Sequence, residues 1–248
     1  RVYRYHLWSY LEHVARWSNA SASGDSVNYS VRLAATTDKV SWPAHADHGS
    51  ISYFTVALWI RVHKPLAGGS YFASKWGGAA GNSTFALYTT TGSDWATGVY
   101  PAGVASAGST SQAIRHGKWV HVVFTWDGTT KRLYLDGRLV YAVTPATGGP
   151  APHSTEPINL GRREASANSM AADIALFRMW SSVATSAQVE ELYIRGRKFA
   201  TPLIEALMTE GSGASVASTG SHTGAGAITG ATWITGVPMR ARTAAPTF

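Results

Sequence analysis

Carboxylate side chains are the first candidates for chemistry, because glycoside hydrolysis needs two of them on the same side of one bond. The chain has seven glutamates, at positions 12, 156, 164, 190, 191, 205 and 210. Glu190 and Glu191 fall on a predicted helix, and Glu205 and Glu210 are spaced so that a regular strand would point them to opposite faces. The chain also lacks cysteine and the sequence Gly-x-Ser-x-Gly. These residues predict a protein that binds rather than an enzyme.

Metal-ligating residue types come together in one short segment. The sequence "HADH" offers His45, Asp47 and His48 as ligands for a transition metal, although a solvated loop explains the same residues. The glycine-rich segments 211–216 and 224–230 lack the Gly-Lys-Ser/Thr ending of a phosphate-binding loop, so they predict loops without a nucleotide.

Aromatic residues outside the apolar register of any predicted strand suggest a different chemistry. The segments "SKWGGAAGNS" and "TGSDWATG" together supply Trp76, Asn82, Asp94 and Trp95, and Trp42 has a similar setting. An indole ring stacks on the C–H surface of a sugar while amides and carboxylates bind its hydroxyls. These residues are therefore candidate ligand-binding residues, with aromatic capping of the ends of the fold as the alternative.

The elements that would position these residues are best defined between positions 117 and 143, in "GKWVHVVFTWDGTTKRLYLDGRLVYAV". The apolar side chains alternate in the first strand, at Val120, Val122, Phe124 and Trp126. Asp127-Gly128 begins one turn, and Asp136-Gly137 predicts a two-residue hairpin, since both positions need φ above zero. The segment is therefore predicted to be a three-stranded antiparallel meander.

Other segments extend this pattern to an all-β fold. "FTVALWIRV" alternates from Phe54 to Val62, and further strands are expected near 31–33, 71–74, 84–89, 158–160 and 174–179. Near 186–195, Thr185 and Gln188 form a capping box before a helical pattern that ends at Gly196. The expected fold is a two-sheet antiparallel jelly-roll sandwich with one short helix.

Composition limits the classes of partner. Charged residues make up only 14% of the chain, against about 25% in an ordinary soluble domain, which suits an extracellular or particle-bound protein. The net charge is +7, but the basic residues are scattered singly, so no nucleic-acid partner is predicted. No apolar run is long enough to predict a membrane span.

Several of these segments carry a family resemblance. "FTVALWIRV", "GKWVHVVFTWDGTTKRLYLDGRLV", "INLGRR" and "ADIALFRMWSSVATSAQVEELY" together resemble the laminin G-like jelly roll of the concanavalin A-like lectin and glucanase superfamily. The resemblance covers about 29–196. It implies a non-catalytic binding or scaffolding role of the kind found in lectins, bacterial surface proteins and minor tail proteins of tailed phages. Relatives often hold calcium, for which Asp38 is a weak candidate here; no other cofactor is expected.

The resemblance divides the chain into three parts: an N-terminal helical leader over 1–28, the sandwich over 29–196, and a Gly/Ser/Thr-rich extension and tail over 197–248. Leu7, Leu11, Val14 and Trp17 have helical spacing in the leader. We expect the leader and the tail to contact neighbouring subunits of an assembly.

The sequence therefore predicts an attachment module at a virion or extracellular surface that recognises a host cell-envelope glycan. Two alternatives remain open. One is a purely structural subunit that makes protein–protein contacts, and the other is a secreted bacterial carbohydrate-binding module.

Overall fold

The computed structural model confirms a sandwich of two antiparallel sheets. It describes residues 29–49, 51–63, 69–77, 83–90, 94–99, 106–146, 155–164 and 170–236, so the predicted leader helix and the tail beyond 236 lie outside the described residues. None of the described helical segments has the length and apolar character of a helix that crosses a membrane.

Sheet A is built around the meander expected from the sequence. Its strand order is β10-β9-β8-β3-β12-β1-β16, and β13 also pairs with β12. The strands are β1 (Tyr29–Leu33), β3 (Phe54–Val62), β8 (Trp119–Trp126), β9 (Lys131–Leu135), β10 (Arg138–Val143), β12 (Ala172–Trp180), β13 (Ile204–Ala206) and β16 (Thr232–Thr235). Asp136 and Gly137 have φ of 49° and 79° and link β9 to β10, as the Asp-Gly pair predicts.

Sheet B carries most of the candidate residues. Its order is β14-β15-β2-β11-β4-β5-β6-β7. The strands are β2 (Lys39–Trp42), β4 (Tyr71–Trp76), β5 (Ser83–Thr89), β6 (Asp94–Val99), β7 (Ser106–Ala113), β11 (Ile158–Leu160), β14 (Ser215–Val216) and β15 (Gly226–Thr229). A 3₁₀ turn at Ala46–His48 follows β2.

The core lies between the sheets and follows the alternation of the strands. On β3, every second residue belongs to the core: Phe54, Val56, Leu58, Ile60 and Val62. The odd-numbered residues between them point to the outer face of sheet A. On β8, they are the four residues expected from the sequence: Val120, Val122, Phe124 and Trp126. Period-two patterning therefore assigned the buried face of both strands correctly.

The helix α1 (Ser186–Arg195) covers the outer face of sheet A. Its capping box is present, since Thr185 and Gln188 each accept a backbone N–H from the other, and Gly196 ends it with φ of 66°. Val189 and Leu192 are buried against Ala57 and Trp180. The predicted helix is therefore confirmed at both ends.

The boundary expected at Gly196 is too early. The later strand β13 pairs with β12, β15 pairs with β2, and β16 pairs with β1, so the sandwich continues to Thr235. The segment was interpreted as an extension because it is rich in Gly, Ser and Thr. Its strands are short, and their partners lie far away in the sequence, so no local pattern reveals them.

Truncation tests this boundary. A chain that ends at Gly196 loses β13, β15 and β16, which leaves the backbone groups of β1, β2 and β12 unpaired, and we expect it not to fold. A chain that ends at Gly236 keeps every described strand, so its melting temperature should stay within a few degrees. Circular dichroism melting and size-exclusion chromatography measure both.

Cooperative unfolding of the 1–196 chain at an unchanged temperature would contradict the assignment of β13–β16 to the sandwich. Aggregation of the 1–236 chain would show that 237–248 also belong to the domain, and would overturn their expected role as a partner contact.

Candidate functional site

The structure separates the aromatic residues that the sequence grouped together. Trp76 ends β4 and pairs in register with Ser83 at the start of β5, whereas Asp94 and Trp95 begin β6 beside Thr89 at the end of β5. The backbones of Trp76 and Trp95 are thus the full length of β5 apart, roughly 20 Å at the rise of a strand. Asn82 lies outside the described residues.

Trp95 belongs to the core, which corrects its assignment as a ligand-binding residue. Its side chain is 1% exposed, and its ring lies 4.8 Å from that of Phe72. Trp42 is likewise fully buried and stacks on Phe177 at 5.3 Å. The Gly, Ser and Asp residues before Trp95 suggested a loop, but β6 begins at Asp94, and its alternation turns Trp95 inward.

Asp94 is half-buried at the start of β6, where its backbone is bonded to Thr90. Its backbone N–H donates to Thr90 Oγ1 at 3.3 Å, and its carbonyl accepts the Thr90 N–H at 3.1 Å. These bonds tie the residue after β5 to the start of β6.

Trp76 instead belongs to an aromatic cluster that the sequence analysis missed. Tyr71 and Tyr88 face each other across β4 and β5 with ring centroids 5.4 Å apart, and Trp76 lies edge-on to Tyr71 at 5.5 Å. The Arg163 guanidinium covers the cluster, 5.2 Å from the Tyr71 ring centre and 4.9 Å from that of Trp76. We call Tyr71, Trp76, Tyr88 and Arg163 the Trp76 patch.

Strand order accounts for the patch. Arg163 closely follows β11, and Asn159 on β11 pairs with Ser74 on β4, so the segment after β11 lies beside the outer side of β4. On β4, Phe72 faces the core, whereas its neighbour Tyr71 points to the opposite side with Tyr88. No local signal around Trp76 could reveal Arg163, since the two meet only through this pairing.

Polar groups lie next to the patch. Glu164 is exposed, and its carboxylate accepts from Lys39 Nζ at 3.2 Å and from Asn159 Nδ2 at 3.1 Å. Partial burial opposes ionisation of Glu164, but the hydrogen bonds from Lys39 and Asn159 outweigh it and lower the pKa of the carboxyl group. At neutral pH this corner therefore presents a carboxylate, an ammonium and a guanidinium around the half-buried Trp76 and Tyr88 and the buried Tyr71.

Asp38 caps a turn and does not fit a calcium site. The carboxylate is 4% exposed, and Oδ2 accepts the backbone N–H groups of Ala34 at 2.8 Å and Ala35 at 2.9 Å. Donors that point at a carboxylate occupy the lone pairs that a hard cation needs. The turn between β1 and β2 thus explains why Asp38 is buried.

Glu205 is held as one partner of a buried ion pair. It is 4% exposed, and it accepts from Arg178 Nε at 2.9 Å and from Lys198 Nζ at 2.8 Å. Burial opposes ionisation, but these cations lower the pKa of the Glu205 carboxyl group. The carboxylate joins β12 to β13, so its role is structural.

The histidine and aspartate of "HADH" are brought together with a residue from the far end of the chain. His45, Asp47 and His222 form the one group of three metal-ligating side chains found within the described residues. His48, the third residue proposed from the sequence, is fully buried beside this group.

Unfolding measurements separate the core tryptophan from the patch. Trp95→Ala should lower the free energy of unfolding by about 3–5 kcal/mol, since it leaves a cavity between the sheets. Trp76→Ala should lower it by only about 1–2 kcal/mol, because its ring is half-buried. Urea unfolding followed by fluorescence measures both, and equal losses would contradict these placements.

Comparison with known proteins places this architecture in a family. No curated protein has a sequence that matches the chain. Its fold is similar to a candidate carbohydrate-binding protein from Bacteroides ovatus, with a TM-score of 0.67 and 14% identity over 84% of this chain and 60% of that one. The chain therefore spans less than two thirds of that protein.

Two smaller proteins match over nearly their whole length. A pentraxin from Limulus polyphemus has a TM-score of 0.58 and 14% identity over 88% of this chain and 99% of its own. The CBM40 module of a Ruminococcus gnavus sialidase, solved with α2,3-sialyllactose, has a TM-score of 0.55 and 14% identity over 68% of this chain and 99% of its own. A family model matches residues 34–190, more than half of the chain, and the chain therefore belongs to the concanavalin A-like lectin/glucanases superfamily.

Proposed function

We propose that the chain is a non-catalytic glycan-binding module that attaches a surface assembly, such as a phage tail, to the cell envelope of a host. The observation that carries this proposal is the Trp76 patch, in which a guanidinium lies over two aromatic rings at 4.9 and 5.2 Å. Its place of action would be a virion or an extracellular surface.

The chemistry of the patch suits a sugar. Aromatic rings bind the C–H faces of a pyranose, and the half-buried Trp76 is held by Tyr71 so that little rotamer freedom is lost on binding. Arg163 is half-buried, and its guanidinium can donate to a hydroxyl or an acidic group of a ligand. Glu164 and Lys39 add an acceptor and a donor beside it.

The relatives support binding rather than catalysis. The Bacteroides protein is described as a candidate for carbohydrate binding, and the Ruminococcus module was solved with a sialylated sugar. The attachment context rests on the sequence, through its low charge and its resemblance to tail and surface proteins. A glycan is therefore the favoured ligand class.

Binding assays on the isolated chain test the proposal. The wild type should bind at least one glycan on an array and should sediment with insoluble cell-envelope preparations. Trp76→Ala and Arg163→Lys should each weaken binding by about tenfold or more, since one removes the ring and the other the planar stacking cation.

Tyr53→Ala provides the matched control. Tyr53 is an aromatic residue that is 50% exposed and packs over Gly128, outside the patch, so its loss should leave glycan affinity unchanged. Unchanged binding in both patch variants would eliminate this site. A wild type that binds no glycan and no envelope would favour a structural subunit.

A further inference from the structure

Four polar side chains lie close together at the end of sheet B where β2 ends and β15 begins. We call His45, Asp47, His48 and His222 the histidine cluster. The register Ser41–Ala227 between β2 and β15 brings the segment after β2 beside the segment before β15. Trp42 marks the close approach, since a Cβ added at Gly226 would lie 2.6 Å from its ring.

The backbone on both sides of the histidine cluster is fixed. His222 donates its N–H to the Leu203 carbonyl at 2.8 Å, and its own carbonyl accepts from Ser218 Oγ at 2.7 Å. On the other side, the 3₁₀ turn is closed by the His48 N–H, which donates to the His45 carbonyl at 3.3 Å. The convergence is therefore set by secondary structure rather than by side-chain rotation alone.

The spacing of the donor atoms is that of a small metal site. Asp47 Oδ2 lies 3.1 Å from His45 Nδ1 and 3.7 Å from His222 Nδ1, and the three ligand atoms lie within 4.8 Å of one another. Tetrahedral zinc with bonds of about 2.0–2.2 Å places its ligand atoms about 3.3–3.6 Å apart. His45 and Asp47 are 48% and 45% exposed, so their side chains have room to close around an ion.

His45 and Asp47 place their ligand atoms side by side. His45 Nδ1 accepts the Asp47 N–H at 3.2 Å. The Asp47 carboxylate oxygen lies 3.1 Å from the same nitrogen. An imidazole nitrogen and a carboxylate oxygen are both ligands that Zn²⁺ accepts.

His222 is oriented to offer one nitrogen. Its side chain is 8% exposed, and its Nε2 has no hydrogen-bond partner among the described residues. A Cβ at Gly224 would lie 2.6 Å from Nε2, so this nitrogen packs against the backbone. Nδ1 is left to face Asp47.

His48 forms the buried wall of the cluster. It is fully buried, its ring meets His222 edge-on at 5.5 Å, and neither nitrogen has a hydrogen-bond partner among the described residues. The ring therefore closes the inner side of the cluster, whereas the exposed His45 and Asp47 leave the other side open to solvent.

We infer that His45, Asp47 and His222 bind a divalent transition metal, with Zn²⁺ as the expected ion and one coordination position open to solvent. Two imidazoles and one carboxylate select Zn²⁺ and its neighbours over Ca²⁺ and Mg²⁺, which require oxygen ligands. The site joins the segment after β2 to the segment before β15, and it shares no residue with the Trp76 patch. The inference does not depend on glycan binding.

Calorimetric titration of the tag-free full chain, first treated with EDTA, tests the site. ZnCl₂ should bind with a stoichiometry of one and raise the melting temperature, whereas CaCl₂ and MgCl₂ should do neither. CoCl₂ should give the intense visible absorption of a four-coordinate site.

Variants locate the ion. His45→Gln, Asp47→Asn and His222→Gln should each weaken zinc binding by tenfold or more, and the first two change side chains that are 48% and 45% exposed. His116→Gln removes an exposed histidine elsewhere and should leave binding unchanged. Absence of saturable zinc binding, or full affinity in both His45→Gln and Asp47→Asn, would overturn the inference.

Discussion

Pairing between the two ends of the described chain is the constraint on which the structure depends. The chain passes from sheet A to sheet B between β1 and β2, and it returns to sheet A between β15 and β16. β16 pairs antiparallel with β1, and β15 pairs antiparallel with β2. Asp38 lies just before β2, where the two connections between the sheets come together. Its Oδ2 accepts two backbone N–H groups of the β1–β2 turn, and its Oδ1 is so near Gly230 that a Cβ there would lie 2.3 Å away. The Gly230 φ of 70° is a further reason for glycine at this crossing.

Both candidate sites follow from this arrangement through sheet B. The pairing of β2 with β15 places His222 beside His45, and the pairing of β2 with β11 and of β11 with β4 places Arg163 over Trp76. Each site therefore combines residues that are distant in sequence but one or two strands apart in the sheet. Strand pairing fixes where the segments that carry these residues meet, which limits the backbone entropy lost when a ligand binds.

The parts of the fold that depend on neighbouring residues could be predicted from the sequence. Apolar alternation identified the buried faces of β3 and β8, Asp136-Gly137 identified a hairpin, and Thr185 with Gln188 identified the start of the helix. Features that depend on distant partners could not. The strands β13–β16 are short and lie between glycine-rich connections, and Trp95 sits among turn-forming residues although its ring packs on Phe72 in the core. For the same reason, the sequence could not show that Arg163 lies over Trp76 or that His222 lies beside His45, because only strand pairing brings these residues together.

The central claim is that Trp76 lies in a glycan-binding site, and the indole N–H resonances in a proton–nitrogen correlation spectrum test it most directly. The chain has ten tryptophans, and single Trp→Phe substitutions assign their indole signals. Titration with a glycan selected on the array should shift the Trp76 signal, while those of the buried Trp42 and Trp95 remain in place. A titration in which a bound glycan leaves the Trp76 resonance unchanged would contradict the account.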